Sequence, residues 1–281
     1  MPDLWRFCIE RLTFQRDLNI LHALQIPHTL TRIKPVTTIS GVKQYFEQTR
    51  SLAFSLLAIF PLVLLYEILI VQLNQQVHLE IRNAAEKFLK DFLGLAGITL
   101  TWQLGLLYLA ITLIVMIYAR NRNQVIVPPL RFWGLLILES LAYAAFFGYG
   151  TRFLTKLILS LQAQGVPVYE SLSKLHKFML AIAAGVYEEI LFRLILLGSI
   201  LYIFKKIWQA RLWVQAMLAS AIAAAVFAIF HYPTLEHVTW DSFMFRLIAG
   251  WILGIIYVAR GLAVVVYTHA LYDILYIMNF L

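Results

Sequence analysis

The sequence holds one cysteine, Cys8, in 281 residues. No disulfide can form within the chain, and no Cys-x-x-Cys pair or short Cys/His cluster is present for structural zinc, which argues against thiol redox chemistry and a zinc-stabilised fold. Charge is equally sparse. Asp, Glu, Lys and Arg make up 14% of the chain and hydrophobic residues 61%, against roughly a quarter charged and half apolar in soluble domains. A continuous apolar core of the kind that marks a cleavable signal peptide is missing from the N-terminal region. Also absent are a Pro/Gly/Ser linker, a low-complexity tract and a repeat of fixed period, so nothing divides the chain into separate folding units.

What is present is a series of long apolar runs. Mean hydropathy is +0.77, and runs of about 20 apolar residues, each able to cross roughly 30 Å of hydrocarbon as a helix, recur along the chain. The expected fold is all-α: a polytopic membrane helix bundle of about seven transmembrane helices plus interfacial helices. Spans are expected near 52–73, 95–119, 130–150, 175–203, 212–231, 243–259 and 262–280. Three regions follow: a basic cytoplasmic or interfacial N-terminal extension over 1–50, N-terminal transmembrane helices over 51–129, and a C-terminal transmembrane region over 130–281 that carries the chemistry.

Between the spans, 75–94 alternates Glu80, Arg82, Glu86, Lys87, Lys90 and Asp91 and reads as a solvated connecting helix or loop. After Gly150, Phe153, Leu154, Leu157, Ile158 and Leu161 recur at helical spacing with Arg152 and Lys156 between them, as in a helix lying in the interface and ended by the Gln164–Pro167 stretch. Seven Lys/Arg precede the first span, and Arg120, Arg122, Arg131, Lys205, Lys206 and Arg211 flank later ones, whereas residues 232–242 have none. The positive-inside rule therefore puts the N-terminus in the cytoplasm. Because these cations flank spans, the net charge of +8 reflects topology and anionic lipid, and nucleic-acid binding is not expected.

The informative residues are polar groups inside the apolar runs. Glu188, Glu189 and Arg193 lie in LHKFMLAIAAGVYEEILFRLILLGSILYIF, where each ionisable group costs about 2.5–3.5 kcal/mol near a helix centre and implies internal partners. Glu189 and Arg193 share a helical face and can neutralise each other, which leaves Glu188, rotated by about 100°, less committed. His231 follows Phe227 by four residues at the end of the fifth span; His269 and Asp273 are likewise four apart on the last. Taken singly, each has a plain structural reading: a charge network locking helices, a capping histidine, a buried hydrogen bond. Together, three spans each supply buried polar groups, and a carboxylate beside an imidazole in a dehydrated cavity is suited to activating water for hydrolysis. A second histidine, His269, is then available on the side where an oxyanion would develop. His237, in the following loop, carries only the plain reading.

The motifs Glu-Glu-x-x-x-Arg at 188–193, Phe-x-x-x-His at 227–231 and His-x-x-x-Asp at 269–273 resemble those of the CPBP intramembrane proteases, a family that takes in CAAX prenyl endopeptidases and bacteriocin-processing and self-immunity proteins. The resemblance covers roughly 130–280. It implies a multi-helix membrane endopeptidase with a cavity reached from the cytoplasm. By the same resemblance Glu188 activates water, His231 holds it, Glu189 and Arg193 support the first motif, and His269 faces the oxyanion. Asp273 stands where the CAAX endopeptidases have asparagine, although bacterial relatives also show aspartate; ionised, it cannot donate to an oxyanion and would instead accept a hydrogen bond that orients His269.

Glu188, His231, His269 and Asp273 are ligand types that zinc accepts, and metalloprotease is a traditional label for the family, but no His-Glu-x-x-His helix is present. The expectation is no cofactor, with zinc the less favoured alternative. Expected partners are a peptide or membrane-protein substrate, lipidated or not, and membrane lipids. The competing reading is a non-catalytic immunity factor or assembly scaffold of the same fold. A proton-coupled transporter, the third reading, lacks the expected inverted repeats or broken helices. One geometric tension stands: at ~1.5 Å per residue, Glu188 is roughly 26 Å from Lys205, His231 roughly 30 Å from Arg211 and His269 roughly 14 Å from Arg260. Tilted helices, or helices extending past the bilayer, are needed to bring them together. Glu67 and Glu139 lie outside the motifs; water access accounts for Glu67, and either could face a cation or substrate.

Overall fold

The computed structural model describes residues 41–77, 81–98, 103–121, 128–159, 172–231 and 239–280. Cys8, most of the basic extension, His237 and the Gln164–Pro167 stretch lie outside them. All regular structure among the described residues is helical. In chain order the helices are α1 (Gly41–Thr49), α2 (Leu52–Val77), α3 (Ala84–Leu95), α4 (Gln103–Asn121) and α5 (Leu130–Leu159). A long winding segment follows, made of α6 (Lys174–Ala183), the π-helical turns π1 (Ala184–Glu188) and π2 (Ile190–Leu197), and α7 (Gly198–Ile207). The chain closes with α8 (Leu212–Phe230), α9 (Trp240–Arg260) and α10 (Leu262–Ile277).

Five of these, in α2, α4, α5, α8 and α9, are long and apolar enough to cross a membrane. The bundle is that of a polytopic integral membrane protein, although the expected count of seven single-helix spans is not reproduced. The expected fourth span is the compound α6–π1–π2–α7 segment, and the seventh, α10, is only 16 residues long. α10 is instead the central helix. Leu262 to Val266, Thr268 and Ala270 are almost fully buried, and it packs against α2, α5, α6, π1 and α9. Its own small and β-branched residues (AVVV) allow this close surround, since they fill space without long flexible side chains. Tyr267 donates to the Ala58 carbonyl of α2 at 2.8 Å, so the first membrane-crossing helix and the last helix are tied through their N-terminal halves.

Two sequence expectations are corrected here. α5 runs unbroken for 30 residues, so the third span and the proposed interfacial helix after Gly150 are one helix. No proline interrupts it, and a single helical glycine costs only ~1 kcal/mol. The second span begins at Gln103 rather than near residue 95, because α3 ends in a turn at Gly97, whose φ of +79° favours glycine.

One end of the bundle holds Arg50, Arg260 and the α7–α8 turn with Lys205, Lys206 and Arg211. Arg50 donates through Nε to the Ala259 carbonyl at 2.8 Å, and Gly261, at φ +89°, brings the α9–α10 turn against Thr49 and Arg50. A Cβ there would approach Arg50 Cα to 3.1 Å, so glycine serves both the backbone angle and the close approach. The α7–α8 turn lies at the same end, since Gly254 of α9 packs on Ser220 of antiparallel α8. Glu139 of α5 finds its cation at this end. Arg260 Nη2 donates to Glu139 Oε2 at 2.9 Å, Tyr45 of α1 donates to the same oxygen at 2.5 Å, and Thr49 Oγ1 accepts from Arg260 at 3.1 Å. The described end of the basic extension is therefore docked onto the bundle.

Candidate active site

The expected site residues are carried by four elements. Glu188 ends π1, Glu189 joins π1 to π2, Arg193 lies in π2, His231 caps α8, and His269 and Asp273 are on α10. The first motif lies where the helix is wound as π turns. Hydrogen bonds of the i→i+5 type widen each turn and shorten its rise, a local departure that often marks functional positions. The α7 and α8 arms match as well: Glu188 precedes the end of α7 by as many residues as His231 follows the start of α8. An antiparallel pair joined by a short turn therefore brings Glu188 and His231 to a similar height, and His269 reaches the same region through its 2.6 Å contact with Glu189.

The site has two sub-clusters. In the first, Arg193 Nη1 lies 2.8 Å from Glu189 Oε1, and His269 Nδ1 is 2.6 Å from that same oxygen. Glu189 is 0%, Arg193 2% and His269 7% exposed, so this charge group is closed to solvent and depends on mutual neutralisation. Arg193 also donates through Nη2 to the Gly250 carbonyl at 3.3 Å and stacks over the Phe227 ring at 4.8 Å. Phe227 packs its ring 4.7 Å from that of His231. Phe227, the aromatic residue of the second motif, thus lies against both Arg193 and His231.

In the second sub-cluster, Glu188 Oε1 lies 3.9 Å from His231 Nε2. His231 Nδ1 is 2.8 Å from the Phe227 carbonyl. A carbonyl can only accept, so Nδ1 carries the proton and, in the neutral ring, Nε2 turns its lone pair toward Glu188. Two acceptors at this separation can both receive hydrogen bonds from one water.

Asp273 is placed differently from the sequence expectation. Its Oδ2 is 3.7 Å from His269 Nε2, beyond direct hydrogen-bond distance, and the acceptor that orients His269 is Glu189. The two motifs are bound to each other by this contact. Close backbone approach permits it. Gly185 faces Ala270, next to His269, and a Cβ at 185 would fall 2.6 Å from the Ala270 Cβ.

Sequence reasoning missed Asn83, which donates through Nδ2 to Glu188 Oε1 at 2.9 Å. It belongs to the segment expected to be solvated, but α3 buries Ala85 and Glu86 against the bundle and turns Phe88, Phe92 and Leu95 outward. Only the apolar residues interleaved among its charges hinted at this. Glu67 was also misjudged as water-exposed: it is 7% exposed and accepts from the Tyr187 hydroxyl at 3.3 Å. Nearby, Tyr66 and Arg82 both donate to Glu86. Burial pushes the Glu86 carboxyl above its ordinary value of 4.5, opposed by those two donors.

Among the described residues no three His, Cys, Asp or Glu side chains are arranged to hold a metal ion. The candidate donors are divided instead, with His269 Nδ1 engaged by Glu189 and His231 Nε2 facing Glu188.

Fold and site together define an integral membrane protein with a buried acid–imidazole centre. Residues 171–275 match the family model described as Rce1-like, type II CAAX prenyl endopeptidase Rce1-like. This match supports the CPBP/CAAX protease family recognised from the three motifs, and it takes in all six candidate residues while leaving Asn83 outside. No curated protein and no solved structure matches the chain.

Proposed function

We propose that the protein is an intramembrane endopeptidase that hydrolyses a peptide bond in a membrane-presented peptide or protein, without a metal. The observation that carries this reading is the convergence of three motifs from separate helices, through Glu188 with His231 at 3.9 Å and Glu189 with His269 at 2.6 Å. In this mechanism one water donates a hydrogen bond to Glu188 and another to His231 Nε2, so its oxygen lone pair is directed away from both and toward the substrate carbonyl. Glu188 takes the proton as the C–O bond forms and returns it to the leaving amine as the C–N bond breaks. His269 Nε2 donates to the developing oxyanion. Such donation requires the ring to carry both protons, a charge balanced by Glu189 and Asp273 on either side. Arg193 holds Glu189, and Glu189 holds His269.

The substrate class suggested by the family's description is a prenylated C-terminal peptide. The positive-inside rule supports putting the end that bears Arg50, Arg260 and the α7–α8 turn in the cytoplasm. On that orientation Glu188 and His231 lie in the opposite half of the bundle, in contrast to the cytoplasmic approach implied by the family resemblance.

The closed Glu189–Arg193–His269 group favours one second reading, because, with Arg193 also donating to the Gly250 carbonyl of α9, it would lock three helices together even in a non-catalytic scaffold or immunity factor. Glu188→Gln separates the two, since it keeps size and hydrogen bonding but removes the base. Purified wild type and variant are compared on quenched-fluorescent peptides with and without a prenyl group, after chelation. Wild-type cleavage reduced by at least about two orders of magnitude in a folded variant supports the endopeptidase. Equal cleavage by both would refute the role of Glu188, zinc-restored activity after chelation would refute the metal-free mechanism, and no cleavage by folded wild type favours the scaffold.

A further inference from the structure

Glu188 is reached by a residue 105 positions earlier, Asn83, outside the family-matched segment. Asn83 is the N-cap of α3: its Oδ1 accepts the Ala85 amide at 2.9 Å while its Nδ2 donates to Glu188 Oε1 at 2.9 Å. A backbone N–H needs an acceptor and a carboxylate needs a donor, so a single orientation of the amide satisfies both contacts. Asn, Asp and Ser cap helices about equally well. Capping therefore does not call for a donor here, and Asn alone of the three presents an acceptor to the helix and an N–H to Glu188 with the same planar group.

The surroundings hold that amide in place. Ala85 and Glu86, just after it, are 0% and 1% exposed, and Glu86 is gripped by Tyr66 of α2 and by Arg82. The first turn of α3 is thereby fixed beside π1, against which α3 packs. Its helix N-terminus, with its partial positive charge, is presented to the carboxylate along with the amide.

We propose that Asn83 is a positioning residue for the hydrolysis: it fixes Oε1 of Glu188 opposite His231, and it makes the N-terminal half of the chain a required part of the active site. This rests on the reading of Glu188 as the base. Without the amide, the carboxylate can rotate about its side-chain torsions and lose its alignment with His231 Nε2.

The test uses full-length Asn83→Ser and Asn83→Asp, both of which retain an N-cap. A role confined to capping leaves each with wild-type kcat, KM and thermal stability. The positioning role lowers kcat roughly tenfold or more in the serine variant, the factor carried by a lost hydrogen bond to a charged group, and lowers it further in the aspartate variant, whose charge opposes Glu188. KM is expected to stay near the wild-type value, because no substrate contact is removed. Modification of Glu188 by dicyclohexylcarbodiimide, followed by peptide mass spectrometry with Glu188→Gln as the blank, reads the contact independently of proteolysis. The rate is expected to rise several-fold in the serine variant as the amide ceases to cover Oε1. Unchanged kcat together with unchanged labelling overturns the proposal. If wild type cleaves no probe, the endopeptidase reading fails and the labelling alone decides the contact. If the serine variant is destabilised, the aspartate variant, of equal size, decides it: wild-type kcat and labelling there overturn the proposal.

Discussion

Gly185→Ala tests whether close approach of π1 to α10 sets the site geometry. A Cβ at 185 would lie 2.6 Å from Ala270 Cβ and 2.8 and 2.9 Å from Ala270 N and Cα. Carbon atoms pack best at ~3.5–4.0 Å, so the two elements must part by about 1 Å. Ala270 is backbone-bound in the central helix, and it adjoins His269. The same displacement stretches the 2.6 Å contact between His269 and Glu189 beyond hydrogen-bond range. Overpacking of this kind costs about 1–3 kcal/mol, and a ~1 Å misplacement of a reacting group lowers the rate by about 10²-fold. Thermal unfolding in detergent and cleavage of the best peptide substrate measure the two effects separately. Adding Ala270→Gly removes the 2.6 Å clash but leaves the backbone contacts, so only partial recovery is expected. Wild-type stability and turnover in Gly185→Ala would show that the helices have slack and that this packing does not position the site.

Glu189→Gln should behave unlike Glu188→Gln. It strips Arg193 of its buried counterion, costs about 3–5 kcal/mol, and appears as lost folded yield on size-exclusion chromatography. Arg260→Met should leave the partly buried Glu139 beside Tyr45 without its cation and lower stability by less than the ~3–5 kcal/mol of a fully buried pair; thermal unfolding checks this, and a double Glu139→Gln/Arg260→Met variant should recover part of the loss. For Glu86, burial raises the folded-state pKa above 4.5, so the folded protein binds more protons than the unfolded chain in the window just above that value. Stability contributed by the protonated group is present below 4.5 and is lost as pH rises through the folded value. The stability of wild type relative to Glu86→Gln should therefore fall from pH 4.5 upward and then level off, as read by unfolding midpoints of both proteins across pH. For sidedness, Lys205→Cys in a Cys8→Ser background should react with an impermeant maleimide only from the cytoplasmic face and Lys87→Cys only from the other; the reverse pattern would overturn the assigned orientation.

The sequence by itself determined that this is a helical membrane protein, because long apolar runs leave no soluble alternative and backbone groups in lipid must be satisfied within helices. It also singled out Glu188, Glu189, Arg193, His231, His269 and Asp273, since ionisable groups in such runs are costly enough to stand out. Local spacing was sufficient for pairs on one helix, as with Glu189 and Arg193. Tertiary structure alone decided the partners between helices: that Glu189 rather than Asp273 orients His269, that Glu139 answers Arg260, and that α10 is the hub of the bundle. It alone recruited Asn83, whose charged neighbourhood resembles a solvated linker until α3 turns Glu86 inward. The physical reason is that hydropathy and spacing act along one chain segment, whereas a hydrogen bond between Asn83 and Glu188, 105 residues apart, depends on how separate helices are wound, tilted and packed. The π turns around Glu188 and Glu189 carry no distinct local signature, yet they help set which face each carboxylate presents.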